Sequence, residues 1–360
     1  MINLIGTSQE KLKTWCIEKG EPSFRVNQVL KWIYQKNVIE FSKMSNLSKI
    51  FINKLEKDFT ISLPNVISEE ISLDGSAKWI FDVGLGNAIE TVVIPEERRK
   101  TLCISSQVGC AVDCTFCSTG KQGFSRNLTS HEILGQLWYA NKCLSGRVTN
   151  VVMMGMGEPL LNYEALITAL KIMESDFAYG LSKRRITVST SGIIPMIDKL
   201  SKDCPVSLAV SLHSGNNKLR NELVPINKKY PLEQLMEACK NYQKFSPKDF
   251  ITFEIVMLKN VNDDVNQACE IIDLVSKYQI KAKFNLIPFN NFPGSMYKCS
   301  DEKKINIFKN KLKNSGFVVT IRKTRGDDIS AACGQLAGEV INRIKKRKFK
   351  NLTKDCENLT

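Results

Sequence analysis

From Lys100 to Lys323, short β-rich runs alternate with helical ones, and no other feature of the sequence narrows the fold as far. Strands are predicted over Thr101 to Ser106, Asn150 to Met154, Arg185 to Ser189, Val206 to Ser211, Thr252 to Met257 and Lys283 to Pro288. Between them the apolar spacing becomes helical, as over Glu132 to Asn141, Tyr163 to Met173, Leu232 to Tyr242 and Val265 to Tyr278. Parallel strands need a long crossover, usually a helix, so this order predicts an α/β fold of repeated β-α units. Six such units predict an incomplete barrel, a partial (β/α)6 barrel. A final run, Val318 to Lys323, leads into a loop that holds Cys333.

The segment before the barrel reads differently. Residues 1 to about 80 are mainly helical in pattern, with apolar spacing through Val26 to Tyr34 and Ile50 to Leu55 and lysines on the opposite faces. A strand pair follows, Ala77 to Val83 and Ala88 to Ile94, joined by the turn Gly84-Leu-Gly-Asn87 and ended by Pro95. The expected division is therefore a basic helical accessory domain (1–80), a linking β-hairpin (81–95), the barrel with its cysteine loop (96–335) and a helical or disordered basic tail (336–360).

The net charge of +14 implies a polyanionic partner, and nucleic acid fits best. No apolar segment resembles a signal peptide or is long enough to span a bilayer, so no membrane association is expected. The expected compartment for the 12 cysteines is the reducing cytoplasm, where a disulfide is transient and catalytic more often than structural. The expected assembly is a monomer. Only His131 and His213 are present, so acid-base work falls largely on carboxylates, cysteines or a cofactor. His131 lies at a helix start, with Thr129 as cap and Glu132 three residues later.

Cys110, Cys114 and Cys117 form a C-x3-C-x2-C run. Iron-sulfur clusters are held by thiolates, usually four, so three ligands would leave one iron open to a cofactor. Two other readings compete. The spacing also fits one helix face, although Gly109, Asp113 and Gly120 interrupt a helix, and Cys103 as a fourth thiolate would close a structural zinc site. Further motifs follow predicted strands: Gly155-Met-Gly-Glu-Pro159, Ser189-Thr-Ser-Gly192, Ser211-Leu-His-Ser214 and Asn285 to Asn290. Together they would ring the carboxyl-terminal mouth, where β/α barrels carry their working residues.

Taken with Ser105-Ser-Gln-Val-Gly-Cys110, Val224-Pro-Ile-Asn227 and the run from Arg325 to Leu336, these motifs resemble the radical S-adenosylmethionine (SAM) superfamily. Within it they resemble the RlmN family, radical SAM methyltransferases acting at adenine C2 of ribosomal and transfer RNA. The resemblance covers about residues 20 to 340. It implies a partial barrel of the radical SAM type, with Cys110, Cys114 and Cys117 holding a [4Fe-4S] cluster. Gly157, Glu158, Ser189, Ser211, Leu212, His213 and Asn290 would bind SAM. It also implies two SAM per turnover, one methylating Cys333 and the other yielding a 5′-deoxyadenosyl radical that activates the methylated thiol. Cys103 would be the resolving thiol, leaving a transient disulfide with Cys333. Glu90 would accept the C2 proton, a role open to Cys103 as well. Implied partners are 23S rRNA, the anticodon loop of tRNA and an electron donor such as a flavodoxin or ferredoxin. Alternatives are the related adenine-C8 resistance methyltransferase, a glycyl-radical activase, and a zinc-stabilised RNA-binding protein without catalysis.

Overall fold

A computed structural model describes residues 1–336, and the basic tail read from the sequence lies, apart from Leu336, outside the described residues. Strand β1 (Ile2–Asn3) and helices α1 (Gln9–Glu18), α2 (Phe24–Leu30) and α3 (Lys49–Asp58) form the first unit, closed by β2 (Phe59–Thr60), which pairs parallel to β1. Ser8 and Ser48 cap α1 and α3 by accepting from the amides of Lys11 and Phe51.

Strands β3 (Asn65–Ile71), β4 (Ala77–Asp82) and β5 (Ala88–Glu96) follow, so the helical reading of 1–80 holds only to Asp58. The run that becomes β3, Asn65-Val-Ile-Ser-Glu-Glu-Ile71, has no fully buried residue and lies at the sheet edge, where the hydrophobic contrast marking a strand is weak. The expected hairpin is present as β4 and β5, but β5 also pairs antiparallel with β6 (Arg99–Cys103), Val92 facing Cys103. The hairpin thus extends the barrel sheet.

After β6 come β7 (Gln107–Gly109), α4 (Ser118–Lys121), β8 (Phe124–Asn127) and α5 (Ser130–Cys143). The Thr129 cap is confirmed: Glu132 donates its amide to the Thr129 hydroxyl at 3.4 Å, and its carboxylate accepts the Thr129 amide at 2.8 Å. The repeat then runs β9 (Asn150–Met153), α6 (Tyr163–Glu174), β10 (Ile186–Thr190), α7 (Ile194–Asp203), β11 (Ser207–Ser211), α8 (Asn217–Leu223), α9 (Leu232–Gln243), β12 (Ile251–Met257), α10 (Val265–Lys277), β13 (Ala282–Pro288), α11 (Glu302–Asn314) and β14 (Val318–Ile321).

One sheet takes the order β14-β13-β12-β11-β10-β9-β6-β5-β4-β3 and remains open. Strand β6 and β9 to β14 are parallel, so the six expected barrel strands are joined by the final run as a seventh. The fold is an α/β partial barrel. Alternation explains its two faces: on β12, Phe253, Ile255 and Met257 are buried in the main core, while Thr252, Glu254 and Val256 line interior cavities. The N-terminal unit docks through α5, where the Trp138 indole donates to the Ile33 carbonyl at 2.8 Å. Among the described residues no helix is long and apolar enough to cross a membrane.

Candidate active site

The segment from Ile104 to Cys117 leaves β6 at the carboxyl-terminal mouth. Its β7 strand pairs with β8, and Gly109 takes φ +74° where an added Cβ would lie 1.9 Å from the Gly123 carbonyl oxygen. A side chain cannot enter there, so a tight turn delivers Cys110, whose amide donates to Gly123 O at 3.0 Å. Asp113 adopts φ +55°, and the Thr115 amide bonds the Leu223 carbonyl at the end of α8 at 3.1 Å. The three cysteines are therefore not one face of a helix.

All three line one cavity, together with Gly157, Glu158, Ser189, Ser211, His213 and Cys333. Burial pushes the Cys110 thiol up to about 12, and Cys114 is raised further by burial and by its Cys117 and Cys110 neighbours. Mutually destabilised thiolates converging on one cavity are suited to a positive iron-sulfur core, which stabilises the thiolate form. Among the described residues, no three His, Cys, Asp or Glu surround the position of one metal ion. Cys103, the fourth ligand of the closed zinc alternative, ends β6 outside the lining of this cavity.

Fit to a bound cofactor is supported by His213, which takes φ +61° and is buried. Its Nδ1 accepts the Val256 amide at 3.0 Å, so Nε2 carries the proton, yet among the described residues Nε2 has no partner. Burial, then Arg220, pulls the ring down to about 3, keeping it neutral. A neutral imidazole with an unsatisfied N–H in a cavity wall has a polar ligand to meet.

Glu158 is buried, with burial raising its carboxyl pKa, and accepts from the amides of Ser191 at 2.7 Å and Leu160 at 3.1 Å. Gly157 sits at φ +99°, where a Cβ would lie 2.4 Å from Gln107 Cβ. Its close approach is to the cysteine segment. Ser189 and Ser211 line the cavity from β10 and β11, whereas the Leu212 side chain is buried in the core and its carbonyl accepts from Arg220. Asn290 lies apart from them, in a second cavity, and donates to the Cys333 carbonyl at 3.1 Å.

The Cys333 loop is held from several sides. Asp328 accepts from the Ser72 hydroxyl at 2.6 Å and the Leu73 amide at 3.1 Å, and the Ser118 amide donates to the Gly334 carbonyl at 2.9 Å. Cys333 lines both cavities. Cys333 is exposed at the cavity wall and Cys103 half-buried; desolvation pushes their thiols up to about 11 and about 12, while Arg322 pulls both down. The register puts Glu90 on the same sheet face as Cys103: Val92 faces Cys103, Glu90 is two residues along β5, and its carbonyl accepts the Ser105 hydroxyl at 2.6 Å.

Three contributors escaped the sequence reading. Arg322 Nη1 lies 3.3 Å from Glu254 Oε1 and 3.8 Å from Met154 Sδ, beside the Cys103–Cys333 pair. Glu254 had a signal, a carboxylate alone in an apolar strand. Arg220 is fully buried and donates to the carbonyls of Ser191, Ser211 and Leu212 and, at 2.6 Å, to Asn227 Oδ1. It ties together two strand-end motifs and the Val224-Pro-Ile-Asn227 run.

Comparison with known proteins bears on the whole chain. Residues 2–61 match the ribosomal RNA large subunit methyltransferase N-terminal domain, and residues 104–274 match the radical SAM superfamily. A radical SAM methyltransferase from Sphaerobacter thermophilus, known from its crystal structure, is 37% identical over 93% of this chain and 99% of that one, with TM-score 0.87. Two other structures share far less. A domain of pyruvate-formate lyase-activating enzyme from Bacteroides vulgatus is 19% identical (48% of this chain, 99% of that one, TM-score 0.37). SuiB from Streptococcus suis, bound to S-adenosylmethionine, is 16% identical (62% and 47%, TM-score 0.44). Similarity of that order carries no functional argument.

Proposed function

Because the chain belongs to the radical SAM methyltransferases with an RlmN-type N-terminal domain, we propose that it methylates C2 of a specific adenine in 23S rRNA and of an adenine in the tRNA anticodon loop. The observation that carries this reading is the position of Cys333, which lines the cavity of Cys110, Cys114 and Cys117 and also the one lined by Arg322, with its charge raising the Cys103 thiol pKa. An enzyme that only generated a radical would have no use for that second pair.

Cys110, Cys114 and Cys117 would hold a [4Fe-4S] cluster, with SAM between Gly157, Glu158, Ser189, Ser211 and His213; Leu212 would contribute backbone and Asn290 would act through the Cys333 loop. When bound, cluster and SAM supply electrons, a methyl group and a deoxyadenosyl radical. Everything else falls to this chain. The Cys333 sulfur carries the methyl group and, once a hydrogen atom is removed from it, presents a methylene radical to C2. That carbon is electron-poor and resists polar methylation, but accepts a carbon radical.

Release then requires the carbon–sulfur bond to break as a Cys103–Cys333 sulfur–sulfur bond forms, with one proton and one electron leaving overall. Arg322 stabilises the attacking thiolate electrostatically. Glu90, on the Cys103 face of the sheet, is the proposed proton acceptor. A flavodoxin or ferredoxin is the proposed electron donor, and cellular thiols reset the disulfide. The adenine must leave its stack to reach the cavity, with lysines of the 1–80 segment gripping the backbone.

The test is anaerobic reconstitution with iron and sulfide, then SAM, reductant and unmodified 23S rRNA or tRNA, with nucleosides identified by mass spectrometry. The expected product is 2-methyladenosine. A dominant 8-methyladenosine product would assign the chain to C8 chemistry, and a cluster-loaded protein that methylates neither RNA would overturn the reading. Stoichiometric zinc in a protein unable to take up iron would point to a non-catalytic RNA binder.

A further inference from the structure

A cavity of about 420 Å³ runs inside the barrel from the amino-terminal ends of the strands to Asn290 and Cys333 at the other end. Thr187 of β10, Thr252 of β12 and Lys283 of β13 face it, joined by Lys248 from the segment before β12 and Arg99 from β6. Arg184, just before β10, contributes its field at this mouth. Arg99 is paired with Glu96 at 2.8 Å. Lys248, Lys283 and Arg184 make no ion pair among the described residues, although other lysines of the chain do find carboxylates. Burial first, then the fields of Lys283, Arg184 and Arg99, holds the Lys248 ammonium below its usual range. Its strongest charged neighbours are thus other cations.

The cavity's carboxylates, Glu96 and Glu254, are already engaged by Arg99 and Arg322, which leaves the ammonium pair of Lys248 and Lys283 without a counter-charge of its own. Desolvation and mutual repulsion both disfavour it, and both are relieved by an anion that accepts several N–H donors at once. Phosphate oxygens suit two ammonium groups and guanidinium forks, and the Thr187 and Thr252 hydroxyls add further donors.

We propose that the amino-terminal mouth of the barrel is a binding site for a phosphate-class anion, built from Lys248, Lys283 and Arg99. These groups lie at the amino-terminal end of the cavity, whose other end reaches Cys333, and their role does not rest on the methyl-transfer reading. The ligand is either a phosphate of the bound RNA or a free phosphate compound.

The test titrates inorganic pyrophosphate into the full-length, cluster-loaded protein at low salt and follows heat. Saturable binding is expected, weakened at least about tenfold in a Lys248→Gln, Lys283→Gln double variant, with cluster absorbance and SAM binding unchanged. A control double variant of equal charge on α11, Lys311→Gln with Lys313→Gln, should retain binding. Absence of binding in the wild type, or equal losses in both double variants, would overturn the site. If pyrophosphate competes with RNA and the Lys248/Lys283 variant also loses RNA affinity, the site takes the RNA backbone. Unchanged RNA binding with lost pyrophosphate binding assigns it to a free phosphate compound.

Discussion

At the scale of single residues, the site depends on how its thiols are held. Cys333→Ala is expected to abolish methyl transfer while leaving cluster absorbance intact, because its side chain is the proposed carrier of the methyl group. Cys103→Ala should instead trap a covalent protein–RNA adduct, visible as a shifted band in denaturing gels; free methylated RNA at the normal rate would remove Cys103 from the resolving role. Arg322 lowers both thiol pKa values, so Arg322→Met raises them further and reduces thiolate at any pH below about 11. The inflection in the pH profile of Cys333 alkylation should therefore move upward, with the rate at pH 8 falling about tenfold for each unit moved. An unmoved inflection would leave Arg322 a purely structural role. The cysteine spacing was legible because it is local. The Arg322–Glu254 pair spans 68 positions and no local pattern reports it.

At the scale of elements, glycines and caps set how the strand-end loops meet. The run Gly155 to Pro159 reads as a loop whose glycine admits a ligand, but at Gly157 the close neighbour is Gln107 of the protein itself. Gly157→Ala combines φ +99° with a 2.4 Å clash, and should cost about 1–3 kcal/mol in urea unfolding and loosen the cysteine segment. A wild-type unfolding midpoint would contradict that packing. The capping box of α5 was readable because all its partners lie within four residues, whereas β3 was missed because an edge strand shows too little hydrophobic contrast.

At the scale of the whole molecule, the basic charge and the docking of the N-terminal unit combine. The Tyr34 and Tyr179 rings pack 5.1 Å apart across the junction, and Gln35 donates to the Asp176 carbonyl at 2.7 Å. With +14 net charge, RNA affinity should fall at least about tenfold between 50 and 200 mM salt. Filter binding across that range checks it, and a flat response would argue against phosphate contacts as the main source of affinity.

The sequence by itself determined the α/β class, the six barrel strands, the cysteine triad and the motif loops, because each rests on spacing along a few residues of chain. The tertiary structure alone decided that the hairpin merges into one ten-stranded sheet, that Cys333 and Arg322 line one cavity, and that Asn290 holds the cysteine loop. Periodicity tells which way a side chain points from its own backbone. What it points at depends on register and sheet curvature, set by contacts between segments far apart in the chain.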